Sequence, residues 1–300
     1  MSKTGWESYP TDLGPLAPEA GPFAKRPFLE TVWRHRGNTR SELLIEHTHK
    51  GAVALALSDD HIEFAGQGNL TDYHSPLGPG GIAALVNAIV ALDGHSFNLD
   101  SLPETVARTA MIGLKEAGID CRIEQHETVS VLSLPQSYDD WLASIGKKER
   151  HEVRRKRRRF EDEFGEILTV RRGVEALEGF CEMHRSSQGD KSTFMTVDMQ
   201  DYFRDLMKHA DASIHTLACD GIPRAHAFGF ETELGYYYYN SAYDTDAAMA
   251  SPGIVLLAAL IEAQIDRGAQ TFDFLKGDER YKVRHGAVAR PLFAIEGLVS

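Results

Sequence analysis

The chain has 300 residues, 42% of them hydrophobic and 25% charged, enough for one large or two medium cores and too apolar for a mainly disordered chain. Gly 26 and Pro 12 are ordinary, and Cys121, Cys181 and Cys219 form no C-x-x-C pair. Collagen-like chains, disulfide frameworks and zinc–thiolate sites are therefore not expected. The net charge of −12 is uneven: Lys147 to Arg159 hold nine Lys or Arg against two Glu. An acidic body would repel a polyanion everywhere except along that block.

Residues 1–27 carry five prolines, which predicts an extended lead-in. Met1 to Asp12 lacks the apolar core of a signal peptide, which with the cysteine usage points to a cytoplasmic protein. A short helix is expected over Phe28 to Arg36, then strands over Glu42 to His47, Ala52 to Ser58 and His61 to Ala65. A loop, Gln67 to Pro79, leads to a helix from Gly81 to Leu92, whose Ile82, Leu85, Val86, Ile89 and Val90 fall at helical spacing. Next come a strand at Ser96 to Leu99, a helix at Pro103 to Ala117 stopped by Gly118, and two strands at Cys121 to Glu127 and Val129 to Leu134.

Trp141 to Phe164 reads as one long basic helix, or two joined near Gly146. Helices over Val174 to Ser186 and Val197 to His209 precede three strands, Ile214 to Cys219, Ala225 to Glu231 and Tyr236 to Ala242, joined by short turns that suit hairpins. A helix from Gly253 to Arg267 follows. It is the most apolar run, but Glu262 interrupts it and it is too short to span a bilayer. Strands at Thr271 to Phe274 and Leu292 to Leu298 complete an α/β chain. Four regions result: a lead-in 1–27, an N-terminal domain 28–140, a basic connecting helix 141–165 and a C-terminal domain 166–300.

The two halves share a local order. Pro79-Gly80-Gly81-Ile82 and Ser251-Pro252-Gly253-Ile254 each open a helix. Phe97-Asn98-Leu99-Asp100 and Phe272-Asp273-Phe274-Leu275 each follow one, with Glu104 and Glu279 at the same offset from their Phe. This spacing predicts a duplicated unit.

The chemistry concentrates between Tyr236 and Arg284. Ser251 suits an N-cap and Pro252 a first helical position, so free N–H groups of Gly253, Ile254 and Val255 would face an anion such as a phosphate. Apolar neighbours put Asp273 at the end of a buried strand, where ligands bind in open α/β sheets. Glu279 or Asp273 would accept a proton from an amine and Tyr281 would give one to a leaving thiolate. Lys282 would hold a phosphate or neutralise Asp273. His226 stands alone in a strand, and one face of Tyr236 to Tyr239 with Tyr243 could line a pocket. No G-x-S-x-G elbow, Walker loop or H-E-x-x-H is present, and His47-Thr48-His49 is too isolated for a metal site.

The order Ser251-Pro252-Gly253, helix, then Phe272 to Glu279 with Tyr281-Lys282 resembles the CelD-like group of GNAT-superfamily acetyltransferases, associated with cellulose and exopolysaccharide biosynthesis. The basic helix from Glu149 to Glu161 and Thr71-Asp72-Tyr73 are similar to that group as well. The resemblance implies a tandem duplicated GNAT-like fold, similar to Fem-type aminoacyltransferases, that moves an acyl group to an amine or hydroxyl. The donor would be acetyl-CoA or another acyl-CoA, without a metal, at Ser251, Pro252, Gly253, Ile254 and Val255 with Lys276 and Gly277. Most acetyl-CoA-binding GNAT proteins carry a Gln/Arg-x-x-Gly-x-Gly/Ala loop there, and this chain has Met249 to Val255 with one of its glycines.

Asp273, Glu279, Tyr281 and Lys282 would be catalytic. His226, Tyr237, Tyr239, Tyr243, Asp72 and Tyr73 would meet a small-molecule or saccharide acceptor, and an anionic partner would dock on Lys147 to Arg159. Two other readings compete. One is an aminoacyl-tRNA-dependent transferase that tracks RNA along the basic helix. The other is a binding protein that keeps the fold without catalysis and uses the basic helix to dock a partner or an anionic membrane surface.

Overall fold

The computed structural model describes residues 5–35, 40–66, 68–187 and 190–299, without the side chains of Asp190 and Lys191. Met1 to Thr4, Arg36 and Gln67, which belong to the expected lead-in, first helix and loop, lie outside the described residues. In chain order the elements are α1 Arg26–His35, β1 Glu42–Thr48, β2 Gly51–Ser58, β3 His61–Phe64, α2 Gly81–Val90, β4 Ser96–Pro103, α3 Glu104–Glu116, β5 Asp120–Ser133, α4 Tyr138–Ser144 and α5 Lys147–Phe164. Then follow β6 Leu168–Arg172, α6 Leu177–Arg185, α7 Asp190–Phe194, α8 Val197–His209, β7 Ala212–Cys219, β8 Ile222–Glu231, β9 Gly235–Tyr243, α9 Pro252–Asp266, β10 Thr271–Lys276, α10 Arg280–Arg284 and β11 Val288–Leu298. The chain divides into two compact units, 1–128 with 290–300, and 129–289. The basic helix α5 thus falls within the second unit and the last strand mostly within the first.

In the first unit β1, β2 and β3 form an antiparallel meander. Strand β4 runs parallel to β3 and pairs antiparallel with β11. The helical spacing in α2 buries Ala84, Leu85, Ala88 and Ile89. The lead-in is less extended than its prolines predict, because Pro18–Ala24 forms 3₁₀ turns with Phe23 and Ala24 buried. A proline at the start of such a turn gives up an N–H that has no acceptor there anyway. Leu16 N–H donates to Pro76 O at 2.8 Å and Ala17 N–H to Ser75 Oγ at 3.0 Å, which ties the lead-in to the segment before α2.

The second unit repeats the plan. Strands β6 to β9 pair antiparallel in order, β10 runs parallel to β9, and β10 pairs antiparallel with Val129 to Ser133 of β5. Helices α9 and α5 bury Val255, Leu256, Ile261, Val153 and Phe160 in one core with Tyr236, Tyr238, Phe272 and Phe274. Phe180 of α6 and Phe203 of α8 pack on Phe228 at 5.9 and 4.7 Å, and Phe203 also meets Tyr239 at 6.1 Å.

Several elements differ from the sequence expectation. The two expected strands over 121–134 are one strand, β5, since no Gly or Pro interrupts them. The basic segment takes the expected two-helix alternative, broken where Ile145 and Gly146 are extended, and differs only in starting at Tyr138. Strand β6, α7 and α10 were not legible; each spans only five residues, too few to show a period.

The repeat holds, with its register moved by one. Leu102 and Leu99 of β4 oppose Phe293 and Ile295, so β4 carries one extra residue. Lys276 and Asp273 of β10 oppose Val129 and Val131, so β10 carries one as well. Each bulge contains a left-handed residue, Ser101 (φ 57°) and Leu275 (φ 63°). These align Phe97 with Thr271, where sequence matching aligned it with Phe272.

Candidate functional site

Strands β9 and β10 pair in parallel only from Gly235–Thr271 to Tyr237–Asp273. Beyond this point they separate, and a cavity of about 370 Å³ opens in the second unit. It is lined by Tyr238, Ser241 and Tyr243 of β9, Ser251 to Ile254 at the start of α9, and Glu279 and Tyr281. The bulge in β10 helps end the pairing. Leu275 adopts its left-handed turn while its N–H donates to Asp273 Oδ1 at 2.8 Å, which closes a local loop over the bulge.

A second bulge selects the residues of β9. Phe228 opposes Asn240, whereas Gly229 opposes Tyr238. One extra residue therefore sits between these pairs, and strand alternation reverses across it. Tyr238, Ser241 and Tyr243 consequently share the cavity face. Tyr237 and Tyr239, expected at the acceptor, are not among the lining residues. Tyr237 is buried, and Tyr239 shares a 2.9 Å hydrogen bond with Tyr202 of α8. Tyr238 was missed, and nothing in a run of four tyrosines marks such a slip.

The helix start differs in detail from the expectation. Ser251 occupies the N-cap position in a left-handed conformation (φ 61°) and makes no side-chain cap bond. Its carbonyl accepts the N–H groups of Ile254 at 3.0 Å and Val255 at 3.2 Å. Pro252 has no N–H, so the amide that α9 leaves for a ligand is that of Gly253. Pro252 and Val255 are buried, and Val255 does not line the cavity. A Cβ on Gly253 would first meet Tyr243, at 3.4 Å, so the backbone there lies open to close approach.

Lys282 is 1% exposed, and its ammonium does not reach into the cavity. Its Nζ donates to the carbonyls of Leu275, Lys276 and Gly277 and pairs with Glu279 Oε2 at 2.9 Å. It therefore fastens the turn after β10 and holds the Glu279 carboxylate. Gly277 (φ 107°) suits this turn because side-chain-bearing residues are strained at that angle, and a Cβ there would also run into the Glu279 carboxylate that Lys282 holds. Lys276 and Gly277 frame the turn without lining the cavity.

Burial holds both cavity phenols in the protonated form. Burial pushes the Tyr281 hydroxyl far above its ordinary value, with Tyr238 and Glu279 adding to the shift. Burial also pushes the Tyr238 hydroxyl up to about 12, partly offset by a hydrogen bond with Ser241. Both keep their protons at neutral pH.

The remaining expected residues lie elsewhere. His226 is buried with Nδ1 2.9 Å from Thr216 Oγ1, and its Nε2 would be 3.3 Å from a Cβ on Gly179 of α6. Burial lowers its pKa to about 4, so it is neutral. Asp72 and Tyr73 belong to the first unit, where Tyr73 is buried with its ring 6.0 Å from Phe23. Among the described residues no group of three His, Cys, Asp or Glu could hold a metal, and no helix is long and apolar enough to cross a membrane.

Residues 147–283, which include this cavity, match the model of the acetyltransferase (GNAT) domain family. No curated protein matches the chain. Among solved structures, FemX is 14% identical, with 91% of each chain covered and a TM-score of 0.63. L-PGS from Bacillus licheniformis is 12% identical, with 91% of each chain covered and a TM-score of 0.60. The C-terminal domain of a putative lysylphosphatidylglycerol synthetase from Agrobacterium fabrum is 11% identical over 89% of this chain and 90% of that one, also at a TM-score of 0.60. The chain thus has a tandem GNAT-like fold, and its second unit carries a GNAT acyltransferase-like domain.

Proposed function

We propose that the protein is an acyltransferase that takes an acyl group from a CoA thioester and passes it to an amine or hydroxyl. The observation that carries this reading is the separation of β9 from β10 over the start of α9. It leaves one edge of β9 without a strand partner beside a helix N-terminus, a slot for an extended donor with an anionic end. The acceptor attacks the thioester carbonyl, the C–S bond breaks, and Tyr281 protonates the departing thiolate. Glu279 takes the acceptor's proton directly or through a water. Asp273 and Lys282 act as positioning residues, through the Leu275 amide and through Glu279. A saccharide acceptor and a cytoplasmic location follow from the family resemblance and the cysteine usage.

A second reading rests on the basic helix. Lys147, Lys148, Arg158 and Arg159 pair with no carboxylate among the described residues, while Arg155 and Arg157 are paired with Glu152 and with Glu161 and Glu262. FemX and lysylphosphatidylglycerol synthetase are among the structures of similar fold, which keeps an aminoacyl donor in view.

Thermal shift against acetyl-CoA, longer acyl-CoAs, free CoA and deacylated tRNA separates the two. A CoA thioester at 100 times its Kd adds about 2.7 kcal/mol of stability, and the gain should vanish in Gly253→Phe, which fills the slot. Stabilisation by tRNA alone, lost with added salt, would replace the CoA reading with the aminoacyl one.

A further inference from the structure

Helix α5 turns a cationic face to solvent. At about 100° per residue, Lys147, His151, Arg154, Arg155 and Arg158 fall opposite the buried Val153 and Phe160, and all five are exposed, as are Lys148 and Arg159 beside them. The face is about 18 Å long at 1.5 Å per residue. Arg155 is paired with Glu152, and Arg154 reaches Asp139 of α4 only at 3.9 Å. Lys147, Lys148, Arg158 and Arg159 pair with no carboxylate among the described residues. A merely solvated face alternates its signs and neutralises itself. This one keeps free charge for an anionic partner.

The borders of the face set the size of that partner. Asp139 stands along one side, Glu152 along the other, and exposed Glu161, Asp162 and Glu163 follow at its C-terminal end. The whole chain carries a net −12 in spite of this block. A nucleic acid or a bilayer extends beyond the face and meets those carboxylates and the acidic body. A compact protein with one acidic helix or loop covers the face alone and keeps its full charge complementarity.

The face adjoins the donor cavity. Lys148 and Lys156 of α5 line a cleft that shares Ile254 and Tyr281 with that cavity. At the start of α9, Pro252 has no N–H, and the N–H groups of Ile254 and Val255 already go to Ser251 O. Gly253 is left as one amide for one phosphate group. An acyl thioester travels on the same pantetheine arm in two forms, on free CoA behind a pyrophosphate or on a protein serine behind a single phosphodiester. One amide suits the phosphodiester, and a protein-borne arm also gives the cationic face beside the cavity an occupant.

We infer that α5 docks an acidic carrier protein whose phosphopantetheine arm delivers the acyl thioester into the cavity over α9. This rests on the acyltransfer reading and goes beyond it by naming what carries the arm, with free CoA the weaker donor. The chemical step is unchanged. The acyl C–S bond breaks, the acceptor's nitrogen or oxygen takes the acyl group and gives its proton to Glu279, and Tyr281 protonates the sulfur. The carrier leaves with a free thiol.

The test is binding of the full chain to a purified, acetyl-loaded acyl carrier protein, to the same protein without its arm, and to acetyl-CoA. The loaded carrier should bind about 10-fold more tightly than either of the others, because face and cavity then act through one linked partner. That advantage should fade as salt rises from about 0.05 to about 0.5 M. Lys147→Glu with Arg158→Glu, both exposed, should weaken the loaded carrier about 10-fold while the melting temperature and the affinity for acetyl-CoA stay the same. Gly253→Phe should reduce the loaded carrier to the affinity of the armless one. Equal binding of loaded and armless carrier, or a charge-reversed chain that binds as well as the native one, would overturn the inference. Deacylated tRNA that binds in place of the carrier, and is lost on charge reversal, would overturn it in favour of RNA. In each of these cases, stabilisation by acetyl-CoA that Gly253→Phe abolishes keeps the acyltransfer reading. Conversely, a loaded carrier that binds through both α5 and its arm, yet keeps its thioester during incubation with amines and saccharides, removes the acyltransfer reading and leaves the docking.

Discussion

The two units solve the same topology in opposite ways. Both have an antiparallel meander, a helix after its last strand, a parallel strand and a bulge in that strand with one left-handed residue. In the first unit the bulge is covered: His74 N–H donates to Ser101 O at 3.0 Å, and His74 Nδ1 lies 2.8 Å from the Asp100 carboxylate. Phe64 stacks on His74 at 4.8 Å, and Tyr73 and Ser75 are buried beside it. The start of α2 is closed as well, since a Cβ on Gly81 would lie 2.7 Å from Pro76 Cβ. In the second unit a lysine holds the bulge from the side, and the space over α9 remains as the cavity. A buried plug and an open cavity thus differ by which side chains pack against the bulge, not by the order of strands.

Four measurements would break or sharpen this contrast. The largest effect is expected at Lys282. Lys282→Met leaves three carbonyls without their donor and should cost about 3 kcal/mol, read as a lower denaturant midpoint at unchanged slope. A loss under about 1 kcal/mol would mean that the turn after β10 holds itself. Next, Tyr281→Phe should lower kcat about 100-fold, in the range for general acids, with donor affinity and melting temperature retained. An unchanged rate would move the acid to Tyr238.

In the first unit, His74→Leu should cost about 2 kcal/mol by breaking the plug's hydrogen bonds, while the transfer rate of the folded protein stays the same. A changed rate would give the first unit a part in the chemistry. The smallest effect belongs to His226. Its folded pKa of about 4 lies below the ordinary 6.5, so the unfolded chain binds the extra proton. Stability is full above pH 6.5 and declines as pH falls toward 4, by on the order of 1 kcal/mol at pH 5.5. His226→Gln should flatten that limb, and an unaltered slope would assign it to other groups. Glu231 cannot supply it. Hydrogen bonds from His215 and Gln264, with Arg171 nearby, hold its carboxyl at about 2, and its contribution is lost only as pH falls below about 4.5.

The candidate site was partly legible. A Ser-Pro-Gly before an apolar run signals a helix start, and Glu279 and Tyr281 follow the next strand closely, so their convergence on one cavity with Ser251, Pro252, Gly253, Ile254 and Tyr243 follows from short-range chain geometry. The residues placed elsewhere share one cause. Tyr238 lines the cavity and Tyr239 does not because a single extra residue reverses the alternation of β9. The same kind of slip in β4 and β10 moves the internal repeat by one position.

By itself the sequence determined the α/β class, the order of the longer strands and helices, the duplication and the basic block, because each is written in local periodicity, turn residues or charge. Tertiary structure alone decided which tyrosines face the cavity, that the Lys282 ammonium fastens a turn, and that α5 brings Lys148 and Lys156 to the start of α9. These depend on bulges and on contacts between residues far apart in the chain. Such contacts are set by packing energies that no window of neighbouring residues contains.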